Sequence, residues 1–594
     1  MCRIAGLADS RQHIDTTNNM VRSMCKALEH GGPDDEGLQS FPNVGLAIGH
    51  RRLSIIDLSR NGHQPMADLD ETVWITFNGE IYNYPELKAE LLASGVRFRS
   101  GTDTEVIIQG FKTWGTHCFE KLRGMFAFAL FDNSERCIYL VRDTAGIKPL
   151  YYQAGEERLA FASEIKAFDA AGLKEPADAR WPVWLLAFGN IPEPYTTRQN
   201  TFSLPKGHYL RWQTSGDCRL FDYRSTAKGP AINNVVTAQD AIQQYLQTAV
   251  KRQLIADAPI GVFLSGGLDS SLIALLANSD RSRQIKTVSI FFDEQKYDER
   301  SFQNLVANQI EGENFSHLVK PRDFETHLPQ IMAAMDMPTT DGINSWFISK
   351  YAKEAGLKAV LSGIGADELF GGYPSFKRIN YLKHLRRIPP FLFAGANLLN
   401  TTIYKRLSYL KYQHPAADYL FIRGLNTPKD IASILNMDEK EVSDILFGAN
   451  NFPNLGQYDE LQAAWFESNL YMQNQLLRDT DVMSMAHGLE VRVPFLDEDF
   501  CNVVQHIDSK IRFDNSQPKK LLIDSFKSIL PPAVWNRPKM GFSFPLEDWM
   551  KQNESICDEA QYSGQAAKRL IQKFKVGKVH WSRVFALYQI RQHV

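Results

Sequence analysis

The sequence predicts two architectures in series: a layered α+β domain, then an α/β domain on a doubly wound parallel sheet with a helical C-terminal part. Three observations carry this. The chain has 594 residues, too many for one hydrophobic core, so roughly two to four domains are expected. Up to about residue 160, short apolar runs alternate with turn residues, and only two helix-like segments interrupt them. From about residue 238 the order becomes strand, helix, strand, the rhythm of parallel βαβ units.

In the first part, strands are expected at 44–48, 73–77, 125–131 and 137–142, where apolar and aromatic residues cluster between turn formers. Helices are expected near 16–29 and 104–115, and sheets covered by these helices give a layered domain. Residues 171–235 are rich in Pro, Gly and Thr, and read as connector and domain-edge structure. The helical period of 241–254 then leads into a strand at 260–264, a helix at 270–277 and a strand at 286–292. A further helix at 346–355 and strand at 358–361 follow, and from about 376 the chain reads as mostly helical. The expected division is 2–210, a connector 211–237, and 238–594.

The bulk properties exclude several classes. Lys plus Arg number 66 against 68 Asp plus Glu, which leaves no electrostatic ground for a nucleic-acid or membrane partner. No apolar run is long enough to span a bilayer, and Met1-Cys2-Arg3-Ile4-Ala5-Gly6 has no secretory apolar segment. The seven cysteines are scattered and show neither a disulfide framework nor metal spacing. A cytoplasmic protein acting on small molecules is the expectation.

The run Pro259-Ile260-Gly261-Val262-Phe263-Leu264 passes directly into Ser265-Gly266-Gly267-Leu268-Asp269-Ser270-Ser271. Paired glycines let backbone N–H groups close on an anion, and the following helix N-terminus adds its positive dipole end. Asp269 brings a carboxylate that a metal ion would bridge to phosphates. The loop holds a pyrophosphate; it lacks the Gly-x-x-x-x-Gly-Lys of a P-loop, so γ-phosphoryl transfer is not the expected use. A second glycine-bearing loop, Ser362-Gly363-Ile364-Gly365-Ala366-Asp367-Glu368, follows strand 358–361. In a doubly wound sheet both loops lie at the carboxyl ends of strands, where ligands bind.

A second constellation lies near the N-terminus. Removal of Met1 would leave Cys2 with a thiol and a free α-amine, and an amine titrating near 7.7–8.0 can take the thiol's proton near neutrality. His50-Arg51-Arg52 supplies arginines suited to bidentate carboxylate capture. Asn78-Gly79-Glu80 follows an expected strand, and its amide and backbone N–H groups could form an oxyanion hole. Asp103 offers a carboxylate for an ammonium group. Together these describe an amidase for an α-amino acid such as glutamine.

On these motifs, and over both halves, the chain resembles the glutamine-hydrolysing asparagine synthetase family (B type), which joins an N-terminal-nucleophile (class II) glutaminase to an adenylating synthetase domain. The resemblance implies Cys2 as the nucleophile, Arg52 on the glutamine carboxylate, Asn78 and Gly79 in the oxyanion hole, and Glu80 and Asp103 completing the glutamine site. It places ATP across Ser265–Ser271 with Leu264, Ile290, Ser362 and Gly363, and Mg2+ between Asp269 and Asp367. Tyr297-Asp298-Glu299 and Arg492-Val493-Pro494-Phe495-Leu496-Asp497 resemble further signatures, the second mainly structural. In Arg537-Pro538-Lys539-Met540-Gly541-Phe542, Lys539 would meet charge developing at an acyl-adenylate. The implied reaction adenylates a carboxylate, most often aspartate, and amidates it with ammonia carried through an enclosed passage. A homodimer is also a family expectation.

Three positions depart from the family pattern. The usual His-Arg-Gly-Pro-Asp reads His30-Gly31-Gly32-Pro33-Asp34, and Arg3 stands where glycine follows the cysteine. Neither removes a reacting atom, so altered glutamine use is expected rather than its loss. Ile364 stands where many asparagine synthetases carry glutamate. The segment 338–346 differs too, and offers Asp341 and Asn344 as acceptor contacts. The acceptor could therefore be another carboxylate: a sugar uronate, a cell-wall precursor or a biosynthetic intermediate.

Overall fold

The computed structural model describes residues 2–224, 229–280, 284–398, 402–448, 452–453, 456–514, 516–538 and 540–593. Two six-stranded sheets form the N-terminal part, and every pairing within them is antiparallel. The first runs Phe202–Ser203, Tyr151–Ala154, Arg158–Ala162, Arg3–Asp9, Leu46–Arg52, Asp35–Phe41. The second runs Cys218–Asp222, His208–Gln213, Cys137–Arg142, Gly124–Asp132, Val73–Ile81, Met66–Ala67.

The strand period of two decides what lies between the sheets. Ile4 and Ala8 point inward and join Leu46, Ile48, Phe131, Leu140 and Trp212 in one buried cluster. Ala5 and Leu7 point outward against Val21, Met24 and Cys25 of the helix Ile14–Ala27. The helices Tyr84–Ala93 and Asp103–Trp114 cover the outer face of the second sheet. Both faces of the central strands are therefore buried, and Arg3–Asp9 is buried at every position.

Composition misleads in 171–235. This stretch carries the helix Trp181–Phe188 and the strands His208–Gln213 and Cys218–Asp222, which extend the second sheet. Edge strands tolerate the proline and glycine turns that made it look like a connector.

The parallel sheet has the order Asn314–Leu318, Lys286–Phe291, Ile260–Phe263, Ala359–Leu361, Glu490–Arg492. The chain winds outward one way from Ile260–Phe263, then returns to place Ala359–Leu361 on its other side. The switch point thus lies between these two strands, and both glycine-bearing loops leave their carboxyl ends. Sequence periodicity places the three central strands but misses Asn314–Leu318 and Glu490–Arg492, which are short and carry His317, Glu490 and Arg492. Beyond residue 366 the fold is helical apart from Glu490–Arg492. No helix among the described residues is long and apolar enough to cross a membrane.

Candidate active sites

The first site forms where Arg3–Asp9 begins and Val73–Ile81 ends. Cys2 is buried, and its backbone N–H donates to Asn78 Oδ1 at 3.3 Å. The Asn78 side chain is fully buried, and its Nδ2 donor has no partner among the described residues. An orphan buried amide costs about 1–3 kcal/mol unless something accepts from it, so this geometry suits a developing oxyanion. At Gly79 a Cβ would lie 2.2 Å from the Met125 carbonyl oxygen, so the close approach of Gly124–Asp132 admits only glycine. Burial pushes the Cys2 thiol up to about 11; the thiol is neutral near pH 7 and needs a base.

The other predicted glutamine contacts converge here. Arg52 is buried and donates to the carbonyls of Ser59 at 2.9 Å and Asp57 at 2.5 Å, while no ion pair links it to a carboxylate among the described residues. Asp103 accepts from the Ile81 N–H at 2.9 Å, and burial raises its carboxyl to about 6. Glu80 Oε1 lies 3.5 Å from Arg492, and its Oε2 has no partner among the described residues. Burial, with Glu490 beside it, holds the Glu80 carboxyl well above its ordinary range. Arg492, also hydrogen-bonded to Glu490 at 2.5 Å, overcomes the cost of burial and brings Glu490 down to about 2. One cation thus serves two carboxylates, and Glu490 takes the charge. Sequence reasoning treated the Arg492 motif as mainly structural; the structure makes it a wall of this site.

The second site forms at the switch point. Gly267 is the N-cap of the helix Leu268–Asn278, and Gly266 has φ +81, the left-handed region open to glycine. Ser265 Oγ and Ser270 Oγ lie 2.9 Å apart, and Ser265 Oγ accepts from the Gly267 N–H at 3.3 Å. A Cβ at Gly363 would come within 2.8 Å of Asp269 Cβ, so the two loops touch backbone to side chain. Leu264 and Ile290 are buried behind them. A cleft opens alongside, lined by Ile290, Phe292, Tyr297, Glu299, Gln303 and Phe542.

Asp269 and Asp367 converge on a third residue, Lys519. Its Nζ donates to Asp269 at 2.6 and 2.7 Å and forms an ion pair with Asp367. Lys519 is buried and sits at φ +58, strained for a non-glycine residue. The sequence reading missed it, because Lys519-Lys520 ahead of a helix looks like a solvated surface pair; Pro518 before them was the only local hint of a fixed turn. At Gly372 a Cβ would fall on Asp367 Oδ1 and within 2.6 Å of Lys519 Cε, so this glycine keeps the cluster open.

Two sequence motifs prove to be one unit. Glu299 pairs with Arg537 at 2.7 Å, and Arg537 also donates to the Gly266 carbonyl at 3.0 Å and stacks on Phe302. Lys539, predicted as the cation at the adenylate, lies outside the described residues. Of the two residues offered as acceptor contacts, Asp341 accepts from its neighbour Gly342 N–H at 2.9 Å, and burial raises its carboxyl. Asn344 Oδ1 accepts from Ser345 N–H at 2.8 Å. Ile364 packs on the apolar cluster that contains Leu361 and Leu496.

A cysteine facing a free amide donor, in one chain with glycine loops built for phosphates at a switch point, defines a glutamine-hydrolysing amidotransferase fused to a nucleotide-dependent synthetase. Residues 1–223 match the glutamine amidotransferase domain family and residues 241–578 match the asparagine synthase family. The chain belongs to the glutamine-hydrolysing asparagine synthase family. It is 32% identical to asparagine synthetase [glutamine-hydrolyzing] 1 of Bacillus subtilis, over 95% of this chain and 90% of that one. It is 27% identical to asparagine synthetase B of Escherichia coli, over 91% and 82% of the two chains. Amidase chry2 of Gibberella zeae is 27% identical, over 88% and 84%.

Proposed function

We propose that this enzyme hydrolyses glutamine at Cys2 and uses the ammonia to amidate a carboxylate adenylated at the Asp269–Asp367 site, with aspartate as acceptor and asparagine, AMP and pyrophosphate as products. The observation that carries the reading is the unpartnered Asn78 Nδ2 beside Cys2, poised for the oxyanion of an amide substrate. The Cys2 α-amine, freed by removal of Met1, is the base its raised thiol needs. Arg52 takes the glutamine carboxylate, Asp103 and Glu80 the ammonium.

In the synthetase half, Ser265, Gly266, Gly267, Leu268, Asp269 and Ser270, with Ser362 and Gly363, hold the triphosphate of ATP. Asp269 and Asp367 would hold Mg2+; both pair with the Lys519 ammonium, so a metal there would share or displace that cation. The metal would neutralise phosphate charge as pyrophosphate leaves. Lys539 meets charge developing at the acyl-adenylate, and Asp341 and Asn344 face the acceptor. For the unit boundary, we take the stretch between the second sheet's last strand, Cys218–Asp222, and the helix that begins at Val235.

A second acceptor reading, a different carboxylate, is favoured by Ile364, which puts an apolar side chain in the second loop. The test is AMP release with Mg-ATP and glutamine, with and without aspartate, analysing for asparagine. Aspartate-dependent AMP with matching asparagine supports the first reading. Glutamate release without aspartate-dependent AMP moves the acceptor to another carboxylate.

A further inference from the structure

We propose that Arg3 is a positioning residue that ties the nucleophile's strand to the synthetase half, so that glutamine hydrolysis follows the state of that half. The proposal rests on the division of labour just given. Arg3 is fully buried; its Nε donates to Glu164 at 2.7 Å and its Nη1 to Asp481 at 2.8 Å. Glu164 also meets His30 at 2.9 Å and Lys166 at 2.7 Å, and Asp481 meets Lys148 at 3.2 Å. Cations and carboxylates therefore alternate across the boundary between the two halves, directly behind Cys2.

The two departures near Cys2 are one feature. A Cβ at position 31 would lie 2.7 Å from Arg3 Cγ, so Gly31 is the space that Arg3 occupies. An arginine at position 3 requires the missing side chain at position 31.

Asp481 belongs to a segment that reaches both centres. From the helix Arg478–Met485 and the strand Glu490–Arg492, Asp481 holds Arg3 and Arg492 approaches Glu80, two residues beyond Asn78. On the far side Asp479 accepts from Thr339 Oγ1 at 2.6 Å, beside Asp341. The Arg492 carbonyl accepts from the Ser362 N–H at 2.8 Å, in the second phosphate loop. Buried, close-packed elements shift as units rather than deform. Occupation of the loops at Thr339 or Ser362 thus biases Asp481 and Arg492 together, and through Arg3 the first residue after the nucleophile.

The test measures glutamate, AMP and amide together in the full chain, with glutamine alone and with Mg-ATP plus aspartate. Arg3→Met and Asp481→Asn are expected to release about fivefold or more glutamate per AMP than the unaltered chain, as for a coupling of ordinary size. Arg3→Lys should keep the unaltered ratio, and ammonia-driven AMP formation should survive in all three. Equal losses of glutamine- and ammonia-driven turnover, with the ratio unchanged, would overturn the proposal and leave Arg3 as adhesive between halves. If Arg3→Met does not fold, deuterium exchange over residues 3–9 decides. A change on adding Mg-ATP that Asp481→Asn abolishes supports the coupling, and identical behaviour in both chains overturns it. That comparison needs no acceptor, so absence of aspartate-dependent AMP would count against the acceptor reading alone.

Discussion

At the Cys2 centre buried polar atoms wait without partners, whereas at the Asp269–Asp367 centre the chain answers its own charges. Among the described residues Asn78 Nδ2 and Glu80 Oε2 have no partner, while Lys519 spans both aspartates and Ser265 and Ser270 bond each other. The difference follows from what each would bind. A small zwitterion brings one charge of each sign, and a few fixed donors and acceptors can await it at modest cost. A triphosphate arrives with several negative charges and its own metal. Two half-buried aspartates side by side without a cation would repel each other.

The sharpest way to break the comparison is at the nucleophile. Cys2→Ala should lower glutamine-driven turnover by about 10⁴-fold or more, as loss of a covalent nucleophile does, while ammonia-driven AMP formation continues. Parallel loss of both activities would mean that the centres are not separable. Lys519→Met probes the other side. Removing the buried cation takes one partner from each of two half-buried carboxylates at a cost of about 1–3 kcal/mol, so thermal unfolding should shift down clearly. Mg2+ should restore much of that shift by binding only the folded form. A variant that melts low and ignores Mg2+ would remove the metal from Asp269 and Asp367. Asn78→Ala deletes the waiting donor, and by analogy with other oxyanion donors kcat for glutamine hydrolysis should fall about 10²–10³-fold with KM little changed.

The same contrast explains what was legible in the sequence. Contiguous motifs report themselves: Ser265–Ser271 and the 362–368 loop follow strand ends, whereas Asn78-Gly79-Glu80, read as following a strand, lies within the last residues of Val73–Ile81. Strand and helix cores in the parallel sheet were legible for the same reason. Pairings between distant residues were not. Lys519 lies 250 positions from Asp269, and nothing local marks it as buried. Arg3 and Gly31 read as two separate oddities until their side-chain volumes are seen to coincide. Arg492 reads as part of a turn motif, although its guanidinium spans Glu490 and Glu80 from a strand only three residues long.

The smallest predicted effect separates the two carboxylates of the first centre. Asp103 is raised to about 6 by burial, well above an unperturbed aspartate near 3.9. Below that value it is protonated and neutral, so it cannot pair with the glutamine ammonium; above it the charge is present. Glutamine KM should therefore be flat above pH 7 and rise as pH falls through about 6, approaching tenfold per unit well below it. Burial beside Glu490, with Arg492 hydrogen-bonded to Glu490, raises the Glu80 carboxyl well above its ordinary range, so Asp103 is expected to carry more of the pairing with the ammonium than Glu80. Asp103→Asn should then raise KM about tenfold or more at pH 7.5 and flatten the acid limb. Glu80→Gln, which keeps a side chain of similar shape, should leave that limb in place. If Glu80→Gln abolishes the limb and Asp103→Asn does not, the ammonium is held by Glu80, and the charge on Arg492 is divided the other way.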